Sequence, residues 1–435
     1  MVVCMGMGGE LRKSVASFAF DHELYPLNAA RMLREEVGVN SEKLKYYEFF
    51  AGAGMARAGL GDAAWQCLFA NDSDELKRSS YSKNWAGENF DPRDVAEVRA
   101  NDLDGLVDLA WASFPCQDLS QAGSKAGIGK AEGNSVTRSG AVWPFLRIIH
   151  ALAVERRHPV LLALENVMGL LSTNNGEDFR ALCGALTDIG YRFGAVVVDA
   201  SHFVPQSRPR VFILAVRREV PIPARLQAVI PQFPWHSQTL LRARSLLSPA
   251  DAAGWIWWSP GAPPQEKYLS LQDVVDLSDK GNWDTDEVTH RLIAMMSDSN
   301  LKRLAAAKTD VGPMIGSLYL RMRPNGNDRN IQRAEIAFAS TLGCLRTPKG
   351  GASRPRIIVV EGENVRTRLL SVAEATLLMG LDKNFILPKT YNQCFRLIGD
   401  GVVPAVVRFL ADRLLEPLAN HARGFVLKSD LKASA

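Results

Sequence analysis

A chain of 435 residues, 47% hydrophobic and 23% charged, is too long for one ordinary core and predicts two globular domains. Its net charge of +4 is too small to announce a nucleic-acid partner by composition alone. Six cysteines scattered singly, without a Cys-x-x-Cys or Cys/His cluster, indicate neither a metal site nor a disulfide framework and fit a reduced intracellular compartment; no run of about 18 apolar residues predicts a membrane span.

Residues 1–44 lack a signal peptide's apolar core and read as an N-terminal extension. From Tyr46 onward strands and helices alternate. "YYEFF" is a short aromatic strand, "AGAG" a turn and "MARAGL" the opening of a helix. "WQCLFA" is the next strand, ending in "NDSD"; "ELKRSSYSKNW" is a polar-faced helix and "DLAWASFP" a third strand. After a glycine-rich loop, Trp143, Leu146, Ile149 and Ala153 recur at helical spacing. "VLLALENV" is a strand of the buried type, "GEDFRALCGALTDIG" an amphipathic helix with a glycine stop, and "YRFGAVVVDA" and "RVFILAV" are two more strands. Near-continuous apolar strands separated by helices predict an α/β fold: a Rossmann-like, mostly parallel, doubly wound sheet covered on both faces.

After Arg218 the rhythm breaks into the proline-punctuated "VPIPARLQAVIPQFPW" and the aromatic "GWIWWSPGAPP", which places a domain boundary near Glu219. Helical periodicity returns in "LLSVAEATLLMGL" and "VPAVVRFLADRLLEPL". The expected division is therefore a first domain over 45–218, an inserted smaller domain over 219–365, helices over 366–420 completing the first domain, and a tail over 421–435. Between Arg321 and Val360 eight Lys/Arg face only two acids, Asp328 and Glu335, more positive excess than the whole chain carries.

Several residues stand where chemistry is expected. Gly52-x-Gly54 lies between a strand and a helix, and Asp72 follows at the end of the next strand; this pattern favours a cofactor containing adenosine. Arg57 replaces the third glycine of the dinucleotide fingerprint, which disfavours a pyrophosphate. A lone cysteine in an apolar run is ordinarily core filler, but Cys116 in "FPCQDLS" lies beyond a strand's carboxyl end, before a polar loop suited to opening and closing. A thiolate there could attack an electron-poor carbon. Glu165 ends "LLALENV" at the same sheet edge, where apolar company disfavours the anion, so it could hold a proton and donate it. In "QSRPR", Arg208 and Arg210 are spaced to offer two planar forks to a carbonyl or phosphate.

Taken in order, these stretches resemble the C5-specific cytosine methyltransferases. "EFFAGAG" and "ANDSD" look like the cofactor motifs, "RDVAEV" a degraded third, "SFPCQDLSQAG" the catalytic motif, "LENV" the Glu-Asn-Val motif and "VPQSRPRVF" the Gln-x-Arg-x-Arg motif. "RLLSVAEATLLMGL" and "GDGVVPAVV" look like the last two, and the insertion, with "GCLRTPKGGASRP", stands in the place of the family's target-recognition domain. The resemblance implies a class I methyltransferase-type sheet, S-adenosylmethionine as methyl donor with S-adenosylhomocysteine as product, and a cytosine flipped out of double-stranded DNA.

It also implies roles. Cys116 would be the nucleophile toward C6, Glu165 the group at N3, Arg210 the partner of O2, with Asn166, Gln206 and Arg208 steadying the site. Phe50, Gly52, Gly54, Asp72, Asp94, Pro115, Asp400, Gly401 and Val402 would hold the cofactor, and Gln117, Ser120, Arg321, Arg323, Arg346, Lys349 and Arg354 would meet DNA. Three departures are visible: Glu48 for the usual Asp, Arg93-Asp94 for Gly-Asp, and Asp400 for the usual Asn. A cytoplasmic monomer with a companion restriction endonuclease is the expected setting. A tRNA cytosine methyltransferase shares these motifs, but the long basic insertion favours DNA. A nicotinamide-dependent oxidoreductase would explain only the glycine turn and its acid, and a silent DNA-binding relic would not need an intact Cys116 and Glu165.

Overall fold

Short apolar runs, each followed by a turn, leave the backbone one way to satisfy its hydrogen bonds under cover: side-by-side pairing. The structure, a computed structural model, describes residues 42–85, 89–119, 126–129, 137–265, 269–278, 283–324, 330–348 and 354–433. Strands β1 (Leu44–Phe49), β2 (Trp65–Asn71), β3 (Phe90–Asp91), β4 (Leu109–Ala112), β5 (Leu161–Val167), β6 (Tyr191–Asp199) and β7 (Pro209–Arg217) form one sheet in the order β3-β2-β1-β4-β5-β7-β6. The pairings from β3 through β5 are parallel, as expected for an α/β fold. The last two strands differ: β7 runs antiparallel to both β5 and β6. Only Ala200–Arg208 separate β6 from β7, too few residues for the crossover a parallel partner requires.

Helices α1 (Met55–Leu60), α2 (Glu75–Trp85), α3 (Val142–Val154) and α4 (Glu177–Ile189) connect the strands. Beyond Arg217 the chain folds back along the β6 edge. Val197 N donates to Trp235 O (2.7 Å), Phe193 N donates to Gly254 O (3.1 Å), and short strands β8 (Gln227–Ala228) and β9 (Trp257–Trp258) pair beside them. Trp235 and Trp258 are fully buried in the main core, so "QFPW" and the aromatic "GWIWW" together cover an otherwise open sheet edge.

A second sheet follows, antiparallel throughout, in the order β11-β10-β12-β13: β10 (Met314–Pro324), β11 (Asn330–Ala337), β12 (Arg356–Glu361) and β13 (Asn364–Leu369). Helices α5 (Asp286–Ala294) and α6 (Asp298–Lys308) cover one face, where Leu292 and Leu304 pack with Leu318, Ile358 and Val360. Ile357 and Val359, alternating with them along β12, point instead into the main core.

The chain ends with α7 (Val372–Leu378), α8 (Tyr391–Asp400), α9 (Pro404–Leu410) and α10 (Glu416–Ala433). Ser371 and Glu374 form a capping box at the start of α7, and the Glu374 carboxylate also takes both amino groups of the buried Arg368. One face of the main sheet (Tyr46, Trp111, Leu214) shares a core with α9 and α10; the other (Tyr47, Ala110, Leu162) packs under α3 and α4. Because β1, β2, β4 and β5 run the same way, Phe50, Asp72, Cys116 and Glu165 all emerge at a single carboxyl edge.

Candidate active site

At that edge lies a cleft of about 750 Å³, lined at one end by Cys116, Glu165, Asn166 and Arg210 and at the other by Phe50, Asp72, Asp94 and Asp400. The thiol end is built from β4, β5 and β7. Antiparallel pairing sets Arg210 opposite Val167 and thus diagonal to Glu165, on the same face of the sheet. The Arg210 Nε lies 3.2 Å from Glu165 Oε1, and both side chains are largely shielded from solvent. Asn166 Nδ2 donates to Phe114 O (3.0 Å), and Asn166 Oδ1 accepts from Val167 N (2.8 Å), so the end of β5 grips the backbone leading to Cys116. Burial pushes the Cys116 thiol up; the Arg210 cation partly offsets this, and Glu165 and Asp400 reinforce it.

Gln206 and Arg208 lie outside this lining. Gln206 is fully buried, donating to Leu378 O (3.0 Å) and accepting from Leu345 N (3.0 Å). The Arg208 guanidinium donates to Leu345 O (2.9 Å), Cys344 Sγ (3.3 Å), and the carbonyls of Gly399 and Gly401 (2.7 Å each). Its fork does meet carbonyls, but they are the protein's own. Arg208 is a strut joining the approach to β7 to the end of α8 and to the 342–347 segment, and Gln206 joins the same approach to the end of α7 and to that segment.

At the nucleoside end, Gly52 N donates to Asp72 Oδ2 (3.0 Å) and Asp74 N to Asp72 Oδ1 (3.0 Å), fixing the carboxylate at the cleft wall. Gly52 has φ +60° and no atom within 4 Å of where a Cβ would stand, leaving the backbone open to a close approach. Gly54 does something else: a Cβ there would lie 2.0 Å from Trp85 Nε1, so this glycine seats the indole, whose Nε1 donates to Ala53 O (3.0 Å). Asp94 lines the cleft while accepting from Ala96 N (2.8 Å). In "GDGV" only Asp400 faces the cleft; Gly401 abuts Met55 Sδ and Val402 is buried. Pro115 also lines the cleft. An aromatic ring, the carboxylates of Asp72, Asp94 and Asp400 and an open glycine turn suit a nucleoside bearing an amino acid.

A family model for C-5 cytosine-specific DNA methylases matches residues 44–416. The chain belongs to that family. Type II methyltransferase M.MspI of Moraxella sp is 26% identical to this methylase over 384 residues, 88% of this chain and 73% of that protein. Type II methyltransferase M.BsuFI of Bacillus subtilis is 32% identical over 181 residues, and the match spans only 41% of either protein. The crystal structure of S. pombe Dnmt2 methyltransferase covers 86% of this chain, and 99% of its own, at a TM-score of 0.54 and 17% identity, a likeness of fold.

The methylase's departures have physical partners. Glu48, fully buried, accepts from Arg57 N (3.3 Å) and from Tyr81 Oη (3.3 Å); burial pushes its carboxyl up to about 8 despite the nearby Arg57 cation. Arg93 forks onto Asp91 rather than reaching the cleft. Asp400 Oδ1 accepts from Thr347 Oγ1 (2.8 Å).

Of the expected DNA contacts, Ser120 and Lys349 lie outside the described residues. Gln117 lines the cleft and accepts from Arg138 (2.7 Å). Arg321 and Arg323 are exposed on β10 and share Glu335, at 3.4 and 2.5 Å. With Arg303 and Arg333, which the sequence reading did not single out as DNA contacts, they border a second groove of about 740 Å³. Arg346 is exposed, and Arg354 donates to Asn392 (3.0 Å) over the Tyr391 ring. Sequence reasoning also missed Lys77, Asp74 and Arg396 in the cleft and Cys344 beside Arg208. The acid-rich "NDSD" before a helix was a signal for the first two; nothing local marked the others.

Proposed function

We propose that this protein methylates C5 of cytosine in duplex DNA. The observation that carries the reading is that the Cys116 thiol, the Glu165–Arg210 pair and the nucleoside-suited wall of Phe50 and Asp72 share one cleft. S-adenosylmethionine, bound along that wall, supplies an electrophilic methyl group.

Cytosine C5 is a poor nucleophile, and the cleft's side chains remedy this. The Cys116 sulfur bonds to C6, and the C5–C6 π pair moves to C5, which takes the methyl group. Glu165 hydrogen-bonds N3 and Arg210 the O2, holding the charge that spreads through the ring. Asn166 keeps the Cys116 approach fixed against β5. Loss of the C5 proton to a base, followed by release of the thiolate, restores the aromatic ring. The free thiol is held protonated by its burial, with the Arg210 cation opposing this in part, so its proton must leave as the sulfur bonds to C6. C6 is shielded inside a stacked duplex, which makes base flipping part of the reading.

Within the inserted segment 219–365, the four-stranded sheet, rather than the stretch that covers the β6 edge, is the proposed target-recognition element, with Arg321, Arg323, Arg346 and Arg354 meeting phosphates or guanine edges. A companion endonuclease fits the type II names of the relatives. The test is covalent trapping on a duplex carrying 5-fluorocytosine: wild type forms an adduct stable to denaturation, and Cys116→Ser forms none. An undiminished adduct with Cys116→Ser rejects the assignment. Bisulfite sequencing of DNA from expressing cells reads the target.

A further inference from the structure

Lys77, in the first turn of α2, sends its ammonium into the cleft between two carboxylates. Its Nζ lies 3.6 Å from Asp72 Oδ2 and 3.8 Å from Asp400 Oδ2. Both separations exceed hydrogen-bond length, so among the described residues the three N–H donors have no acceptor at bonding distance. Each carboxylate is meanwhile tethered from its own side: Asp72 by Gly52 N and Asp74 N, Asp400 by Thr347 Oγ1. The cation is thus attracted into the gap but left with its donors unspent.

The charge pattern indicates what fills it. Asp72, Asp74 and Asp400 all line this end of the cleft, and without a cation they would repel any carboxylate that entered. The second cation present, Arg396, is half-exposed and already bound to Asp74. Burial alone would lower the Lys77 ammonium, but Asp72, Asp400 and Asp74 outweigh it and hold it above the ordinary lysine range, so it stays charged. A carboxylate–ammonium–carboxylate row matches the hydroxyls, α-carboxylate and α-ammonium of a nucleoside carrying an amino acid.

Resting on the reading above, we infer that Lys77 binds the α-carboxylate of S-adenosylmethionine while Asp400 takes the α-ammonium. Asp400 in place of the family's usual Asn and the lysine beside it then form one device: the acid binds the ammonium, and the lysine prevents that acid from repelling the carboxylate.

Calorimetric titration tests this without turnover. S-adenosylhomocysteine is compared with its decarboxylated counterpart, the same thioether nucleoside ending in an aminopropyl group. Wild type is expected to prefer S-adenosylhomocysteine by about tenfold to a hundredfold, the range of a charge-assisted hydrogen bond. Lys77→Met removes the preference by weakening S-adenosylhomocysteine alone; Arg396→Met keeps it. Melting curves report folding, and Lys77→Gln replaces the methionine variant if that one melts early. Equal affinities in wild type, or a preference that survives loss of the lysine, overturn the inference alone. Failure of wild type to bind S-adenosylhomocysteine overturns the methyl-transfer reading with it.

Discussion

Two half-buried thiols near the arginine pair carry opposite electrostatic bias. Burial raises both, but at Cys344 the cations of Arg208, Arg210 and Arg346 outweigh it and lower the thiol, whereas at Cys116 those of Arg210 and Arg208 do not. Iodoacetamide at pH 7.5 should therefore label Cys344 before Cys116, as followed by peptide mass spectrometry. Arg210→Met should slow Cys116 labelling further at fixed pH, because it removes the strongest favourable charge. Glu48 gives a different pH signature. Its folded-state value of about 8 lies above the ordinary 4.5, so the native chain holds a proton that the unfolded chain releases across that window. Its contribution to stability thus falls as pH rises from about 4.5 to about 8. Glu48→Gln keeps partners for Arg57 N and Tyr81 and should raise the melting temperature over wild type by about 2 °C or more at pH 8.5, and little at pH 5. Cys116, Glu165 and Asp72 were legible in the sequence because each directly follows or ends an apolar strand. The partners of Arg208 (Leu345, Gly399 and Gly401) lie more than a hundred residues downstream, so no local pattern separates this strut from Arg210.

The elements of the main sheet were legible because buried parallel strands read as uninterrupted apolar runs. The second sheet was not. β10 buries Gly316 and Ser317 and then exposes Arg321 and Arg323, a pattern of polar breaks that resembles a loop when its partner strands are unknown. Close element packing yields a sharper test. A Cβ on Gly59 of α1 would lie 2.4 Å from Val407 Cβ and 2.5 Å from Pro404 O, so α1 and α9 touch through that missing side chain. Gly59→Ala should destabilise the fold by about 1–3 kcal/mol, through overpacking rather than chain entropy, as read from the denaturation midpoint.

Across the whole molecule, the 342–347 segment beside the four-stranded sheet, the start of β7 and the end of α8 meet at the Arg208 guanidinium. Arg208→Met would strand the carbonyls of Leu345, Gly399 and Gly401, the first buried and the other two partly so. A loss of about 3 kcal/mol or more is expected, with weakened S-adenosylhomocysteine and DNA binding together. Arg210→Met, which strands one carboxylate at the cleft wall and none of the carbonyls that Arg208 holds, should cost clearly less stability than Arg208→Met yet abolish adduct formation with the 5-fluorocytosine duplex. Equal melting losses for the two variants would contradict this separation of a strut from a working side chain. At the same scale, the bond from Asn166 to Phe114 O fastens the stretch that carries the sulfur to the strand that carries the carboxyl. Sulfur and carboxyl therefore share one mooring, and a displacement of either strand end is passed to the other through that amide.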